Sequence, residues 1–301
     1  MFQTPVALTT DNAIGQGRVA LALEYDGAAY HGWQKQKSGV PSVEEELVRA
    51  VSKVANEPVE LVCAGRTDAG VHGSYQLVHF DTNAVRDLRS WVMGINTALP
   101  PSIVVHWAGN TPEPFHARFS AVYRRYRYVI FNGPVRPALL ARQLSWTFRP
   151  LDEKAMQEGA RQLEGEHDFS SFRAAGCQSR SPWRFVEFVR VCRRGDFVVI
   201  DVQANAFLHH MVRNFAGALM AVGQGKYSPQ WVAEVLAGKD RRMAGITAPA
   251  AGLYLVDVGY PAEFGIPRAS CGPAFVRPWF EDDQNAPIAP SWVHRKAPLS
   301  S

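Results

Sequence analysis

Residues 18–25, Arg-Val-Ala-Leu-Ala-Leu-Glu-Tyr, form a short apolar run of strand length. A glycine-spaced loop follows from Asp26 to Gly39. Ser42 then opens a helix to about Asn56, with Glu45 three residues on as a capping box. Residues 59–63 read as a strand, 64–74 as a small-residue loop, and 75–81 as an alternating strand. Residues 85–97 read as a helix and 102–108 as another strand. The order β-α-β-loop-β-α-β predicts an α+β unit with helices on a sheet. A second unit begins near Pro114. Residues 117–131 are aromatic and β-branched and read as one long strand. The pattern then predicts a helix over 152–164, strands over 184–194 and 197–204, helices over 209–223 and 228–237, and a strand over 252–258. The predicted organisation is a flexible leader over 1–17, units over 18–113 and 114–265, and a Pro-rich, disordered tail over 266–301.

Composition narrows the class. A chain of 301 residues with 47% hydrophobic content can bury large cores without metal or disulfide staples. It contains no apolar run of the roughly 18 residues that a membrane span needs. The first 17 residues lack the basic-then-apolar pattern of a secretory signal. The four cysteines, Cys63, Cys177, Cys192 and Cys271, form no C-x-x-C pair, and there is no N-x-S/T sequon. A reduced, cytoplasmic setting is expected. The net charge of +4 says little alone, but arginines crowd at 118–127 and 173–194. Arginine forks hold phosphates and stack on bases; a solvated charged face is the plainer alternative.

Several familiar motifs fail. Gly15-Gln-Gly17-Arg-Val-Ala20 resembles a dinucleotide fingerprint but precedes its strand instead of following one. No P-loop, G-x-S-x-G or H-E-x-x-H is present. His209 and His210 are adjacent, which on a helix would splay the rings about 100° apart and argue against a shared metal. Three segments stand out. In Gly65-Arg-Thr-Asp-Ala-Gly-Val-His72, small residues surround Asp68, and Arg66 sits two residues from it. Such a loop suits either a turn aspartate capping its own backbone or a carboxylate held ionised close to a planar ligand. In Tyr123-Arg-Arg-Tyr-Arg-Tyr128, strand alternation puts Tyr126 and Tyr128 on one face and Arg125 and Arg127 on the other. That pattern suits base stacking with phosphate contact, or an ordinary aromatic core. On 209–223, Arg213 borders an apolar stripe, as a surface snorkel or as an ion-pair partner in a site.

Taken in order, these segments resemble the tRNA pseudouridine synthase A family. The resemblance is carried by Glu24-Tyr-Asp-Gly27, Tyr30-x-Gly32-Trp33-Gln34, Ala64-Gly-Arg-Thr-Asp-Ala-Gly-Val-His72 and Phe115-His-Ala-Arg118. It continues through Arg124-x-Tyr126-x-Tyr128, Asp168-Phe169-x-x-Phe172, His210-Met-Val-Arg213-Asn214 and Gly252-Leu-Tyr-Leu255. It implies a pseudouridine-synthase fold: two α+β units sharing a mixed, mainly antiparallel sheet, helices on one side, and a central cleft. It implies isomerisation of uridine to pseudouridine at positions 38, 39 and 40 of the tRNA anticodon stem-loop, by a homodimer needing no cofactor and no metal. Asp68 becomes the nucleophile. Tyr126 stacks on the flipped base, and Arg213 pairs with the catalytic carboxylate. Arg66 occupies space near the base and Leu253 lines the pocket, while His72, Arg118 and Arg124 join the substrate-binding set. Asp68 could attack the ribose C1′ or act through a glycal-type elimination. The pattern's usual lysine is Arg124 here, which keeps the charge.

The alternative from another class is an RNA-binding or RNA-folding protein without catalysis; the intact trio Asp68, Tyr126 and Arg213 argues against it. A zinc deaminase would need H-x-E with P-C-x-x-C, which is absent.

Overall fold

The computed structural model describes residues 13–268 and 272–279; the leader to residue 12 and the tail residues 269–271 and 280–301 lie outside it. The chain divides into two units. The first holds the described residues up to Ala121 together with Tyr260–Arg268, and the second holds Val122–Gly259 together with 272–279. Both are α+β. Among the described residues no helix is long and apolar enough to cross a membrane.

The first unit contains β1 (Ala13–Tyr25), α1 (Val43–Ala55), β2 (Val62–Cys63), β3 (His72–Asp87), α2 (Leu88–Ala98) and β4 (Ile103–Asn110). Its strands are ordered β4-β1-β3, with β2 added on β3, and all pair antiparallel. Val19 to Leu23 are almost fully buried on both faces, which is why the strand reads as an unbroken apolar run. The Gly15-x-Gly17 pair that mimics a nucleotide fingerprint is a β-bulge in the β1–β3 pairing. Gly15 has φ of 124° there, and a Cβ would sit 1.8 Å from the Ala84 carbonyl oxygen. Strand β1 thus starts at Ala13, inside the stretch expected to be leader.

Helix α1 starts as predicted. The Ser42 hydroxyl accepts from the Glu45 N–H at 3.4 Å, and Asn56 ends the helix in the left-handed region. Helix α2 starts later than its pattern suggests, because β3 continues through Asp87, whose carboxylate caps the Ser90 N–H at 2.5 Å. Val43, Leu47, Val51, Trp91 and Ile95 turn the two helices onto the core beneath Leu21, Leu23, Val78 and Phe80.

The break between the units falls after Ala121 and not at Pro114, because residues 115–120 are fastened to the first unit. Arg18 donates to the Phe115 carbonyl at 2.7 Å, the Ala117 N–H to His79 Nδ1 at 3.1 Å, and the Tyr260 hydroxyl to the Ala117 carbonyl at 2.6 Å. Burial, then the nearby Arg18 charge, push the His79 imidazole down to about 4. A group whose folded pKa is depressed contributes stability above its unfolded value, about 6.5 for histidine. That contribution is lost as pH falls towards about 4. Stability is therefore expected to fall between pH 6.5 and 4, and His79→Gln, which can still accept the Ala117 N–H, should flatten that slope in thermal melts. Equal slopes for both proteins would refute the assignment.

The second unit contains β5 (Tyr123–Asn132), β6 (Ser145–Thr147), α3 (Glu153–Arg161), β7 (Gly165–Asp168), β8 (Trp183–Arg194), β9 (Phe197–Ala204), α4 (Met211–Gly223), α5 (Trp231–Gly238) and β10 (Leu253–Gly259). Its strand order is β10-β5-β9-β8-β7, antiparallel throughout, with β6 joining β5 in parallel. The short β6 and β7 have no clear sequence signal. Strand β5 is shorter than the 117–131 run suggested, since residues 117–122 belong to the pinned loop. A two-residue turn joins β8 to β9, with Gly195 at φ of 57°. Part of the expected tail is core. Val276 is fully buried, and Phe275 and Trp279 pack with Val129, Val199, Tyr254 and Val256. Phe275, Val276 and Trp279 cover an apolar face of this unit's sheet.

Candidate active site

The carboxylate of interest lies in the first unit. Residues 64–71 leave β2 and enter β3 as a loop fastened from beneath. The Ala64 N–H donates to the Leu77 carbonyl at 2.8 Å, and the buried Gln76 amide donates to the Gly65 carbonyl at 2.6 Å. Thr67 is buried, its hydroxyl 2.8 Å from the Tyr25 hydroxyl, and its carbonyl accepts the Trp33 N–H at 3.0 Å. With Thr67 drawn inward, its neighbours turn outward: Arg66 is exposed and Asp68 half-buried. The Val71 N–H closes a turn on the Asp68 carbonyl at 3.1 Å, and the Gly70 N–H donates to the Tyr30 carbonyl at 3.2 Å.

This explains residues that the sequence offered only as matches. Gly32 has φ of 99°, and a Cβ there would come within 2.8 Å of the Thr67 carbonyl oxygen. Trp33 is fully buried with its ring 5.8 Å from that of Tyr25. The segment from Glu24 to Trp33 is therefore a cradle for the Asp68 loop. His72 belongs to the same cradle. It is 1% exposed, and its Nδ1 lies 3.1 Å from the Gly27 N–H and 3.0 Å from an Asp26 carboxylate oxygen. Cys63, at the base of the loop, is held as a thiol: burial pushes it up to about 12, so no second nucleophile operates there near neutral pH.

The second unit carries the other predicted residues. Tyr126 sits in the middle of β5, paired with Val202 on β9 and Leu255 on β10, and its ring meets Phe207 edge-on at 5.0 Å. Leu253 begins β10 opposite Tyr128 and is 5% exposed. Burial pushes the Tyr128 phenol upward, and its hydroxyl donates to the Pro249 carbonyl at 2.9 Å, so it stays protonated. Arg213 stands in the first turn of α4, half-buried. Its Nε donates to the Ala248 carbonyl at 2.9 Å, and the Ala248 N–H returns a bond to the Arg213 carbonyl at 3.1 Å. Next to it, fully buried Asn214 donates to the Phe172 carbonyl at 2.7 Å and accepts from Thr247 at 2.7 Å. Phe169, Phe172 and Phe215 pack ring against ring beneath. The Asp168-Phe-x-x-Phe172 and Arg213-Asn214 matches are thus one device that holds the start of α4. His210 precedes that helix in the left-handed region, so the His209 and His210 rings lie 4.0 Å apart and not splayed as two helical neighbours would be.

The arginines of β5 depart from the phosphate-contact expectation. Arg125 and Arg127 are buried at 4% and 0% exposure and both reach Asp201 of β9, at 2.6 and 3.0 Å. Burial alone would push the Asp201 carboxyl up, but the two guanidiniums hold it below the usual carboxylate range. These side chains clamp β5 to β9 on either side of Tyr126. Arg173 and Arg193 are likewise occupied, with loop carbonyls. Arg66, Arg118, Arg180, Arg190 and Arg194 present exposed side chains. Arg124 is half-buried and donates to the Asn205 carbonyl at 3.3 Å. Asp201 was not foreseen as a site residue. Its signal was available only as an isolated acid in the apolar run 197–202, where a buried charge demands a partner.

The tRNA pseudouridine synthase family model matches residues 21–120 and 160–261. The chain is 56% identical over 259 residues to tRNA pseudouridine synthase A of Aliivibrio salmonicida, covering 86% of this chain and 98% of the relative. It is 54% identical over 272 residues to tRNA pseudouridine synthase A of Pseudomonas aeruginosa, covering 90% and 95%. The family-model stretches contain the fastened Asp68 loop and the Arg213 helix; the chain belongs to the tRNA pseudouridine synthase family.

Proposed function

We propose that this chain isomerises uridine to pseudouridine at positions 38, 39 and 40 of the tRNA anticodon stem-loop, with Asp68 as the nucleophile. The observation that carries this reading is the Asp68 loop. Bonds with Tyr25, Trp33, Tyr30 and Gln76 fix the loop through its backbone and the Thr67 side chain, so a half-buried carboxylate is preorganised on a rigid support. The reaction breaks the bond from N1 to the ribose carbon C1′ and forms one from C5 to that carbon. The C5 proton leaves, and N1 gains one. The atoms balance without an oxidant, a reductant or a second substrate. One carboxylate serves either route, by attack on C1′ or by elimination to a glycal.

A duplex base must leave its stack before such chemistry. Exposed Arg66 is suited to fill the vacated space. Tyr126 offers a ring for the flipped base and a phenol for proton transfer at C5. Leu253 lines the pocket with an apolar surface, and Arg213 is the cation assigned to the nucleophile. Exposed Arg118 and half-buried Arg124 contact the RNA backbone. His72 acts through the loop it supports. The enzyme works in the cytoplasm as a homodimer.

Incubating purified protein with unmodified tRNA and mapping pseudouridine by carbodiimide-dependent primer extension tests the reading. New pseudouridine is expected at positions 38–40 where uridine is present. Product confined to other positions would overturn the substrate assignment, and no product would overturn the function.

A further inference from the structure

The loop 115–120 of the first unit combines rigid anchoring with an exposed ring. Besides the bonds to Arg18, His79 and Tyr260, the loop is knotted on itself. The His116 N–H donates to the Ser120 hydroxyl at 2.9 Å, and the Ser120 N–H donates back to the His116 carbonyl at 2.9 Å. His116 Nδ1 accepts the N–H groups of both Arg118 and Phe119 at 3.2 Å. Burial, Arg18 and Arg118 push the His116 imidazole down, which keeps that nitrogen an acceptor at neutral pH. Phe119 is nevertheless 76% exposed, more than Phe148 at 62% or Trp183 at 52%. Its ring stacks on His116 at 4.3 Å and 27°, and His116 meets His79 at 4.8 Å behind it. The Arg118 guanidinium lies 5.6 Å from the Phe119 centroid.

An exposed phenylalanine on a mobile tip would hide its ring against the surface. Here the backbone is pinned at every residue from 115 to 120, so the ring is held out in water at a hydrophobic cost. A stacked pair, with His79 edge-on at 62° behind it, ends in that ring, with a cation beside it. This is the arrangement on which nucleic-acid bases stack, with arginine supplying phosphate contact or cation–π support. A protein partner would more naturally meet a broader apolar patch, whereas Phe119 is flanked by exposed Arg118 and half-buried Ser120.

We propose that Phe119, stacked on His116, is a platform for an unpaired base of the RNA substrate other than the isomerised uridine. The proposal rests on the reading of this chain as a tRNA-modifying enzyme and adds a binding contact to it. The expected consequence is a loss in binding and not in chemistry. Phe119→Ala should weaken tRNA binding and raise KM by about tenfold, the scale of one lost base stack, with kcat unchanged. Phe119→Trp should bind at least as well as the native protein, with indole fluorescence that is quenched on adding tRNA. Phe119→Leu keeps apolar volume but not the π face and should resemble Phe119→Ala. Arg118→Ala should lower the salt dependence of binding, while Phe119→Ala should leave the salt slope in place. The position is exposed, so all these variants should melt like the native protein.

Native affinity in Phe119→Ala would overturn the proposal, and native affinity in Phe119→Leu would overturn stacking as its basis. A change in sedimentation of Phe119→Ala with tRNA affinity intact would assign the ring to a contact between copies of the chain, and would also overturn it. The arms read binding directly. If native protein forms no pseudouridine but Phe119→Ala still weakens tRNA binding, the functional reading fails and the platform stands.

Discussion

Asp68→Asn is expected to lower pseudouridine formation by a factor on the order of 10⁴ or more, with tRNA binding nearly unchanged. Asparagine has the volume of aspartate, but its neutral amide neither attacks a ribose carbon nor favours positive charge developing there. The loop itself should survive. Its fastening runs through the Thr67 side chain and the backbone of residues 64–71, none of which the substitution touches. The variant should therefore melt with the native protein and still retard tRNA in a gel. Asp68→Glu keeps the charge but displaces it by a methylene, and a misplacement of that size costs about 10²-fold in an oriented reaction. Single-turnover assays on saturating enzyme separate these effects from binding. Substantial product from Asp68→Asn would remove Asp68 from the nucleophile's role.

Asp201→Ala should be the most destabilising single substitution at the β5–β9 pairing. It leaves two guanidiniums, Arg125 and Arg127, buried without their shared carboxylate. Removing one partner from a buried ion cluster costs about 3–5 kcal/mol, where an exposed pair would cost under about 1 kcal/mol. For a chain of this size that corresponds to a Tm lower by roughly 10 °C. The triple change Arg125→Met, Asp201→Leu and Arg127→Met removes all three charges of the cluster at once and should recover much of the loss. Because Tyr126 lies between the two arginines on β5, activity should fall in Asp201→Ala even below its melting transition. A Tm within about 2 °C of native would show that the cluster is not a clamp.

The two cases differ in how visible they were. The Asp68 loop is local: small residues, a turn and an arginine lie within a few positions, and the ordered matches along the chain single it out. The clamp is not local. Arg125 and Arg127 sit 76 and 74 positions from Asp201, and a strand of alternating tyrosine and arginine reads equally well as an RNA-facing surface. Only the β5–β9 pairing decides which face meets a carboxylate and which meets Phe207. The same holds for Gly32, Trp33 and Gln76, matched or unremarked in sequence, whose work is to carry the loop holding Asp68. It holds also for the tail aromatics, since Phe275 and Trp279 acquire a purpose only against a core that the rest of the unit builds.

What the amino-acid sequence determined by itself was therefore the set of local choices. These include the Ser42 cap and its helix, the Gly195 turn, the apolar runs of the central strands, and the ordered motifs that mark the family. Each depends on residues a few positions apart, where backbone sterics and hydrogen bonding act without help. The tertiary structure alone decided which charges are buried, which glycines are obligatory and where one unit ends. It also decided that Phe119 is held in water while Arg127 is withdrawn from it. Those outcomes depend on desolvation and on partners tens of residues away, and such partners are chosen only when the strands pair.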